Sequence, residues 1–298
     1  MTKFVFLNGE FLNRKDAKVS AFDKGFLFGE GLFEQFRIYE LKAFQMSQHY
    51  ERLKSSARQL KVPLTINLPT FREIVSQLLR LNDIKNAIVR IVISTGSRDA
   101  IHSPTTLVEV TGDIPSEYDK YQEEGATITV YPEKRSAYTR VYRYNTLSRI
   151  ENILAKRYAY EQQSMEAIFM NHKMEVTEGY LSNVFIVKAR SGLTQTPLSR
   201  ILSSNRVVYT APLSANISPG ITRQVIMGLC TKNGIKVREK MFKLKNLLTA
   251  DEIFLTNSLM GVVPVKKIIY NDRIIRIGES IPDLTTQLLV KEYNAIIA

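Results

Sequence analysis

Apolar residues recur at helical spacing twice in the first third of the chain. Over residues 47–60 and again over 70–81 they return every three or four positions, which predicts two amphipathic helices. The β-branched run 87–95 predicts a buried strand, and residues 106–110 predict a neighbouring one. The Asn8-Gly9 pair between two short apolar runs predicts a hairpin at the start of the chain.

Strands and helices alternate in the remainder of the chain. The pattern predicts strands over residues 126–131, 167–171, 183–187 and 252–256, and helices over 147–163, 222–233 and the C-terminal end. Residues 111–125 are polar and acidic and carry Pro115 and Gly125, as is typical of a linker. We therefore predict an α+β protein with an N-terminal domain over 1–115, a linker over 116–125, and a larger α/β barrel-like domain over 126–298.

Composition narrows the classes of partner. The 298 residues carry a net charge of +12, which favours an anionic ligand, but no block of Lys or Arg indicates nucleic-acid binding. No apolar stretch has the length of a membrane span, and the N-terminus lacks the pattern of a signal peptide. A single cysteine, Cys230, fits a reducing cytoplasm, and the scattered histidines predict no metal site.

Four local patterns carry candidate chemistry. Pro219-Gly220-Ile221-Thr222 opens a predicted helix, whose free N–H groups attract an anion. Arg52 lies within a predicted helix, and Asn257 and Ser258 follow a predicted strand, where polar groups suit a phosphate or a carboxylate. Glu178 precedes the strand 183–187, where a carboxylate is able to hold a protonated ring nitrogen. Taken singly, each pattern also fits an ordinary turn or a solvated helix face.

The order of these patterns along the chain is more specific than any one of them. Five motifs follow one another: Phe28-Gly29-Glu30-Gly31-Leu32-Phe33-Glu34, His49-x-x-Arg52-Leu53, Thr177-Glu178-Gly179 with Ser182-Asn183, Pro219-Gly220-Ile221-Thr222-Arg223, and Val262-Val263-Pro264-Val265. Together they resemble the class IV (fold type IV) pyridoxal-phosphate aminotransferases. That family contains branched-chain aminotransferases, D-amino-acid aminotransferases and 4-amino-4-deoxychorismate lyases.

The resemblance implies a cofactor, a substrate class and a set of site residues. It implies a two-domain class IV aminotransferase-like fold, pyridoxal 5'-phosphate, a small-molecule amino substrate and a homodimer. By resemblance, Glu178 pairs with the pyridine nitrogen of the cofactor. The residues implied to bind the rest of the cofactor are Arg52, Ile221, Thr222, Asn257 and Ser258, and those implied to face the substrate are Phe33, Arg37 and Arg149.

Two stretches resemble the deoxychorismate lyases in particular. Residues 256–260 read Thr-Asn-Ser-Leu-Met, and residues 147–151 read Leu-Ser-Arg-Ile-Glu. Both are similar to segments of those lyases, which release pyruvate and form 4-aminobenzoate. Arg37, in contrast, resembles an arginine of the branched-chain enzymes.

One residue departs from the family pattern. The family's catalytic lysine opens a stretch that ends in Leu-Ala-Lys, and the matching stretch here, residues 145–156, opens with Asn145. An amide nitrogen is not nucleophilic, so the resemblance implies that the cofactor is bound without a covalent bond. Three explanations stay open: an introduced substitution, a natural non-catalytic protein, or an enzyme that uses another base such as Tyr144 or Lys134.

Overall fold

The computed structural model describes residues 2–97, 104–189, 206–278 and 281–297. The chain folds into two compact units. The first unit consists of Met1–Pro115 and Tyr144–Arg149, and the second of Ser116–Arg143 and Ile150–Ala298. The chain therefore enters the second unit, returns to the first for six residues around Asn145, and enters the second again.

The first unit is built on an antiparallel sheet of order β2-β1-β6-β5-β3-β4. Its elements are β1 (Phe4–Leu7), β2 (Glu10–Asn13), α1 (Lys24–Phe28), β3 (Gly31–Tyr39), β4 (Lys42–Ala43), α2 (Met46–Leu60), α3 (Leu68–Asn82), β5 (Ala87–Ser94) and β6 (Thr105–Thr111). Alternate side chains of β3 and β5, such as Phe36 and Val89, pack with Leu53 of α2 and Phe71 of α3 in one buried cluster.

The second unit contains a mixed sheet that closes on itself. Its elements are α4 (Glu117–Glu124), β7 (Ala126–Arg135), α5 (Ile150–Glu161), β8 (Glu166–Asn171), β9 (Val176–Gly179), β10 (Asn183–Ala189), β11 (Arg206–Thr210), α6 (Ile221–Lys232), β12 (Lys236–Glu239), α7 (Leu244–Leu248), β13 (Glu252–Asn257), β14 (Gly261–Tyr270), β15 (Arg273–Arg276) and α8 (Leu284–Ile297). The strand order runs β12-β11-β10-β13-β14-β7-β8-β9, and β9 also pairs with β10. This last pairing closes a ring of six strands, in agreement with the predicted barrel-like domain.

The structure differs from the sequence prediction at the expected linker. Most of 116–125 forms the helix α4, whose first turn carries Glu117 and Asp119. Negative charge at the N-terminus of a helix is stabilised by the helix dipole, so an acidic composition is compatible with a helix here. Gly125 follows with a φ of +74°, which a glycine adopts without strain.

Membrane spans and metal clusters are both absent from the part of the chain that the structure describes. None of the helices in ranges 2–97, 104–189, 206–278 and 281–297 is long and apolar enough to cross a membrane. Within the same ranges no group of three or more His, Cys, Asp or Glu side chains is arranged to hold a metal ion.

Candidate functional site

A buried carboxylate lies at the centre of the candidate site in the first unit. Glu34 is 2% exposed on β3, and His49 and Arg52, one helical turn apart on α2, both contact it. Arg52 donates from Nε to Oε1 at 2.7 Å and from Nη2 to Oε2 at 2.8 Å, and Nδ1 of His49 lies 2.8 Å from Oε2. Two parallel bonds of this kind hold a carboxylate and a guanidinium in one fixed orientation.

The charges in this cluster determine its protonation. Burial raises the pKa of Glu34, but the Arg52 charge and the hydrogen bonds from His49 and Arg52 lower it to about 2. Burial also lowers the pKa of His49 below its ordinary value, although the hydrogen bond to Glu34 opposes the shift. At neutral pH the cluster therefore contains an ionised glutamate, a charged arginine and a neutral histidine.

The side chain of Asn145 forms a hydrogen bond to the same carboxylate. Its Nδ2 donates to Oε1 of Glu34 at 3.2 Å. The backbone of residues 145–147 is hydrogen-bonded to the start of β3. Phe33 N donates to the Asn145 carbonyl at 2.8 Å, and Leu147 N donates to the Gly31 carbonyl at 3.0 Å. These bonds explain why the short segment Tyr144–Arg149 belongs to the first unit.

Two glycines of the Phe-Gly-Glu-Gly motif leave room for this segment. A Cβ on Gly29 would lie 2.3 Å from Oγ of Ser148, and Gly29 has a φ of +68°. A Cβ on Gly31 would lie 2.6 Å from Cδ1 of Leu147 and 2.4 Å from the Ile93 carbonyl oxygen. Any larger side chain would push the Asn145 segment away from β3, so the motif and the Asn145 region depend on each other.

The residues predicted to face the substrate lie apart from Glu34. Phe33 and Arg37 alternate with Glu34 along β3 and therefore project from the opposite face of the strand. The Arg149 guanidinium lies 4.8 Å from the Phe33 ring centre, and that of Arg37 lies 4.9 Å from the Tyr39 ring centre. Tyr144 donates from its hydroxyl to Gln59 at 2.8 Å.

A second buried carboxylate lies in the second unit. Oε1 of Glu178 accepts from Nη1 of Arg135 at 2.9 Å, and Oε2 accepts from the backbone N–H of Ser218, also at 2.9 Å. Arg135 is itself held by Glu151, at 2.8 Å from its Nε, and by the face of Phe169, whose ring centre lies 3.4 Å from the guanidinium carbon. Glu178 is thus fixed in position from two sides.

The start of α6 is shaped by the Ser182-Asn183 motif. Asn183 donates from Nδ2 to the Ser218 carbonyl at 3.1 Å, and its Oδ1 would lie 2.0 Å from a Cβ on Gly220. Only glycine fits at this close approach. The N-cap residue of this helix is Gly220, which makes no side-chain cap hydrogen bond, and the first N–H groups, including those of Ile221 and Thr222, have no acceptor within the helix.

Two buried hydroxyls beside these elements have no partner among the residues that the structure describes. Oγ1 of Thr222 and Oγ1 of Thr256 make no hydrogen bond to any residue that the structure describes, and both side chains are almost fully buried. The Asn257 side chain instead makes hydrogen bonds through both ends of its amide: Oδ1 accepts the N–H groups of Leu259 and Met260, and Nδ2 donates to Ser182. A buried hydroxyl without a partner costs about 1–3 kcal/mol, which a bound ligand would recover.

Sequence reasoning missed the residues that hold the candidate side chains. It did not identify Glu34 or His49 as members of the site, although both lie within the five motifs. A polar residue on the buried face of a β-strand, three residues before Arg37, was the available signal for Glu34. Arg135 is 43 residues from Glu178 in sequence, so no local pattern indicates their contact.

The chain is similar to known proteins of one family. The family model "Amino-transferase class IV" matches residues 31–268. The chain is 33% identical over 272 residues to the aminodeoxychorismate lyase of Bacillus subtilis, a match that covers 89% of this chain and 86% of that protein. It is 34% identical over 272 residues to a D-alanine aminotransferase of Staphylococcus epidermidis, a match that covers 90% and 89%.

The fold agrees as well. The branched-chain amino acid aminotransferase of Escherichia coli superimposes with a TM-score of 0.86 at 21% identity, covering all of this chain and 95% of that one. The predicted resemblance and the two-domain fold are therefore confirmed. Because the family model spans the motifs around Glu34, Arg52, Glu178 and Gly220, the chain belongs to the class IV amino-transferases.

Proposed function

We propose that this chain binds pyridoxal 5'-phosphate without a covalent bond and is of the aminodeoxychorismate-lyase type. One observation carries the cofactor assignment. The buried Thr222 hydroxyl at the N-terminus of α6 has no partner among the described residues, and the N-cap residue, Gly220, offers no side chain to the adjacent N–H groups. A phosphate would accept from all of these donors.

The proposal assigns each part of the cofactor to residues of this chain. The resemblance assigns the phosphate to the backbone of Ile221 and Thr222, to the Ser258 hydroxyl and to Arg52, whose guanidinium is oriented by Glu34. Asn257 shapes the turn that carries Ser258. Charge-assisted bonds of this kind contribute about 1.5–3 kcal/mol each.

Glu178 is assigned to the pyridine nitrogen. Its carboxylate is buried and oriented by Arg135 and by the Ser218 amide, so it is already in place before a ligand arrives. When bound, the cofactor supplies an electron-withdrawing ring that stabilises negative charge on the α-carbon of an amino substrate. A carboxylate held at the ring nitrogen would favour the protonated ring and strengthen this effect.

Asn145 limits what the chain is able to catalyse. The resemblance places it at the position of the family's lysine, and an amide neither attacks an aldehyde nor takes up a proton at neutral pH. Loss of a general base costs about two to four orders of magnitude in rate. We therefore propose low turnover or none, and a non-catalytic cofactor-binding role is the second candidate that this residue favours.

Two other residues are alternatives for the missing base. The Tyr144 hydroxyl donates its proton in a hydrogen bond to the Gln59 side chain. Lys134 lines a cavity of about 400 Å³ in the second unit together with Tyr131 and Tyr158, and burial lowers its pKa below the ordinary value. A lysine with a lowered pKa has more of the neutral, nucleophilic amine at neutral pH, but none of the residues that line this cavity is assigned to the cofactor, so both alternatives stay open.

The type of reaction is proposed from two sequence stretches. Residues 256–260 and 147–151 favour the lyase, which would release pyruvate, over amino transfer. Phe33, Arg37 and Arg149 are assigned to the substrate, whose carboxylates would pair with the arginines. The test is to incubate the Asn145→Lys variant and cofactor with 4-amino-4-deoxychorismate and measure pyruvate. Amino transfer from branched-chain and D-amino acids to keto acids is assayed in parallel. Transfer without pyruvate would contradict the lyase assignment.

We also propose a homodimer in the cytoplasm. Phe22, Phe26 and Phe28, around α1, are each more than 60% exposed, and a second copy of this chain would cover them. The family resemblance supports the same assembly. The single cysteine fits a reducing compartment.

A further inference from the structure

Glu166 is a buried acid that the proposed function does not use. It opens β8 with no exposed surface, and the five residues that follow it in the strand are also buried. Oε1 accepts the backbone N–H of Tyr180 at 2.8 Å, whereas Oε2 has no hydrogen-bond partner among the described residues. Within those residues it forms no ion pair, so its position calls for another explanation.

The carboxyl group of Glu166 lies directly against Gly179. A Cβ on Gly179 would lie 2.5 Å from Cδ and 2.8 Å from Oε2 of Glu166. The φ of Gly179 is outside the left-handed region, so the backbone itself does not demand glycine. A glycine is required at position 179 because the Glu166 side chain occupies the space that a Cβ would fill.

The turn above Glu166 is tight and carries Glu178 at its start. Gly179 N donates to the Ser182 carbonyl at 2.7 Å, which closes the turn. Asn152 of α5 donates to the Tyr180 carbonyl at 2.7 Å, and Asn257 donates to the Ser182 hydroxyl at 3.0 Å. With Glu166 beneath it, the turn is held from three different elements.

We propose that Glu166 is a positioning residue for Glu178: its carboxyl group supports the turn 179–182 and so fixes the place of the Glu178 carboxylate. The inference rests on the proposed role of Glu178 at the pyridine nitrogen. It explains why Glu178, Gly179 and Ser182 occur together, since each contributes to a turn built around one buried side chain.

The protonation of Glu166 gives this support a pH dependence. Burial raises the pKa of Glu166 to about 8, although the neighbouring Ser182 side chain and the backbone N–H groups of Tyr180, Leu181 and Ala167 oppose the shift. Tyr180 is the titratable side chain of the turn, and its hydroxyl donates to the Met165 carbonyl. The register partner of Glu166 on β7, Ile128, is uncharged.

The sign of the effect follows from the direction of the shift. The folded chain keeps the proton on Glu166 up to pH about 8, whereas the unfolded chain releases it near 4.5. Between these values the unfolding equilibrium constant rises about tenfold per pH unit. Above pH about 8 the buried carboxylate is charged, and the support of the turn weakens.

The experiment compares Glu166→Gln and Glu166→Ala with the unmodified chain by amide hydrogen exchange. The Ser218 N–H donates to Oε2 of Glu178, so its protection reports the position of Glu178 without any cofactor. We expect Glu166→Ala to lower this protection by at least about tenfold, while the β10 amides keep theirs. In the unmodified chain, the Ser218 protection should fall above pH about 8, where Glu166 ionises. Glu166→Gln should keep the protection at neutral pH and should not show this fall, because an amide does not ionise.

The affinity for pyridoxamine phosphate, measured by calorimetry on the same proteins, should fall in Glu166→Ala and be retained in Glu166→Gln. Unchanged Ser218 protection in Glu166→Ala, or coincident pH curves for the unmodified chain and Glu166→Gln, would overturn the proposal. If no protein binds the ligand but Ser218 protection changes as expected, the proposed function fails while the positioning of Glu178 stands.

A second pair of variants keeps the test decisive if Glu166→Ala folds poorly. Gly179→Ala should destabilise the unmodified chain, because the new methyl group meets Glu166. The same change should be less costly in a Glu166→Ala background, where those atoms are absent. Strictly additive effects of the two changes on the free energy of unfolding would show that the contact is not supporting the turn.

Discussion

Asn145 donates a hydrogen bond from Nδ2 to Oε1 of Glu34 across 3.2 Å. The same oxygen accepts from Nε of Arg52 at 2.7 Å. A neutral amide therefore shares a carboxylate whose charge is balanced by one arginine. This relationship connects the residue that we propose to stand at the position of the family's lysine to the residue proposed to hold the cofactor's phosphate.

The first prediction concerns Asn145→Lys. The segment that carries residue 145 is already hydrogen-bonded to β3, so a lysine there would take the place of the amide, and its neutral amine would be the nucleophile for the cofactor aldehyde. We expect covalent attachment of pyridoxal phosphate and a gain in turnover of about two to four orders of magnitude. Borohydride reduction followed by mass spectrometry of the peptide that contains residue 145 measures the attachment.

Asn145→Gln is the matched control, because it lengthens the side chain and keeps the amide. It should bind the cofactor without attachment. Attachment of the cofactor to Lys134 in the unmodified chain would instead show that another amine has taken over the role of the missing lysine. A lysine variant that binds cofactor and forms no covalent bond would contradict the assignment of Asn145.

The second prediction concerns the Glu34–Arg52 pair and acid. Because the folded-state pKa of Glu34 lies below its ordinary value of 4.5, its contribution to stability is complete above that pH. It should be lost progressively as the pH falls from 4.5 to about 2. Denaturant unfolding of the unmodified chain over this range measures the loss.

Arg52→Ala should cost about 3–5 kcal/mol in unfolding free energy at neutral pH, because it leaves a buried carboxylate without its charged partner. Arg52→Lys should recover part of the stability and little of the two-point geometry. In both variants pyridoxamine phosphate should bind more weakly. An Arg52→Ala protein with unchanged affinity would place the phosphate elsewhere.

The third prediction separates a ligand-binding hydroxyl from a structural one. Thr222→Val removes a buried hydroxyl that has no partner among the described residues, so the free protein should gain up to about 1 kcal/mol. Affinity for inorganic phosphate and for the cofactor should fall. Opposite changes in stability and affinity, measured by unfolding and by calorimetry, are the expected signature.

Thr210→Val provides the contrast. The Thr210 hydroxyl is equally buried but donates to the Val184 carbonyl at 2.9 Å. Its loss should cost about 1–3 kcal/mol and leave affinity nearly unchanged. If the two threonine variants behave alike, the Thr222 hydroxyl does not bind a ligand.

The fourth prediction concerns the exposed phenylalanines around α1. Phe26 is 78% exposed, and Phe26→Glu should prevent a second copy from covering this surface, giving a monomeric mass by light scattering. Ile274→Glu, at a residue that is 64% exposed on β15, is the control and should leave the mass unchanged. A monomeric unmodified chain at micromolar concentration would refute the dimer directly.

The sequence predicted the regular elements where periodicity is strong. The predicted helix 47–60 is observed as Met46–Leu60, and the predicted strand 87–95 as Ala87–Ser94. Both follow from one buried face repeated at a constant interval. The helix α4 was missed because its apolar face is weak and its acidic residues resemble those of a linker.

The site was only partly accessible to sequence reasoning. Single residues such as Arg52 and Glu178 were identified, but their ion-pair partners were not. Those partners are distant along the chain: Glu34 is 18 residues from Arg52, and Arg135 is 43 residues from Glu178. Burial of a charge requires a partner that only the tertiary structure brings near, and periodicity contains no information about it.

The return of Tyr144–Arg149 to the first unit constrains how this protein is able to be divided or recombined. The chain passes from one unit to the other three times, so no single cut yields two complete units. A fragment that ends at residue 115 would lack Asn145 and also Leu147, whose side chain fills the space over Gly31. Exchange of a whole unit between relatives would therefore have to carry this six-residue segment along with residues 1–115, as two separate pieces of one module.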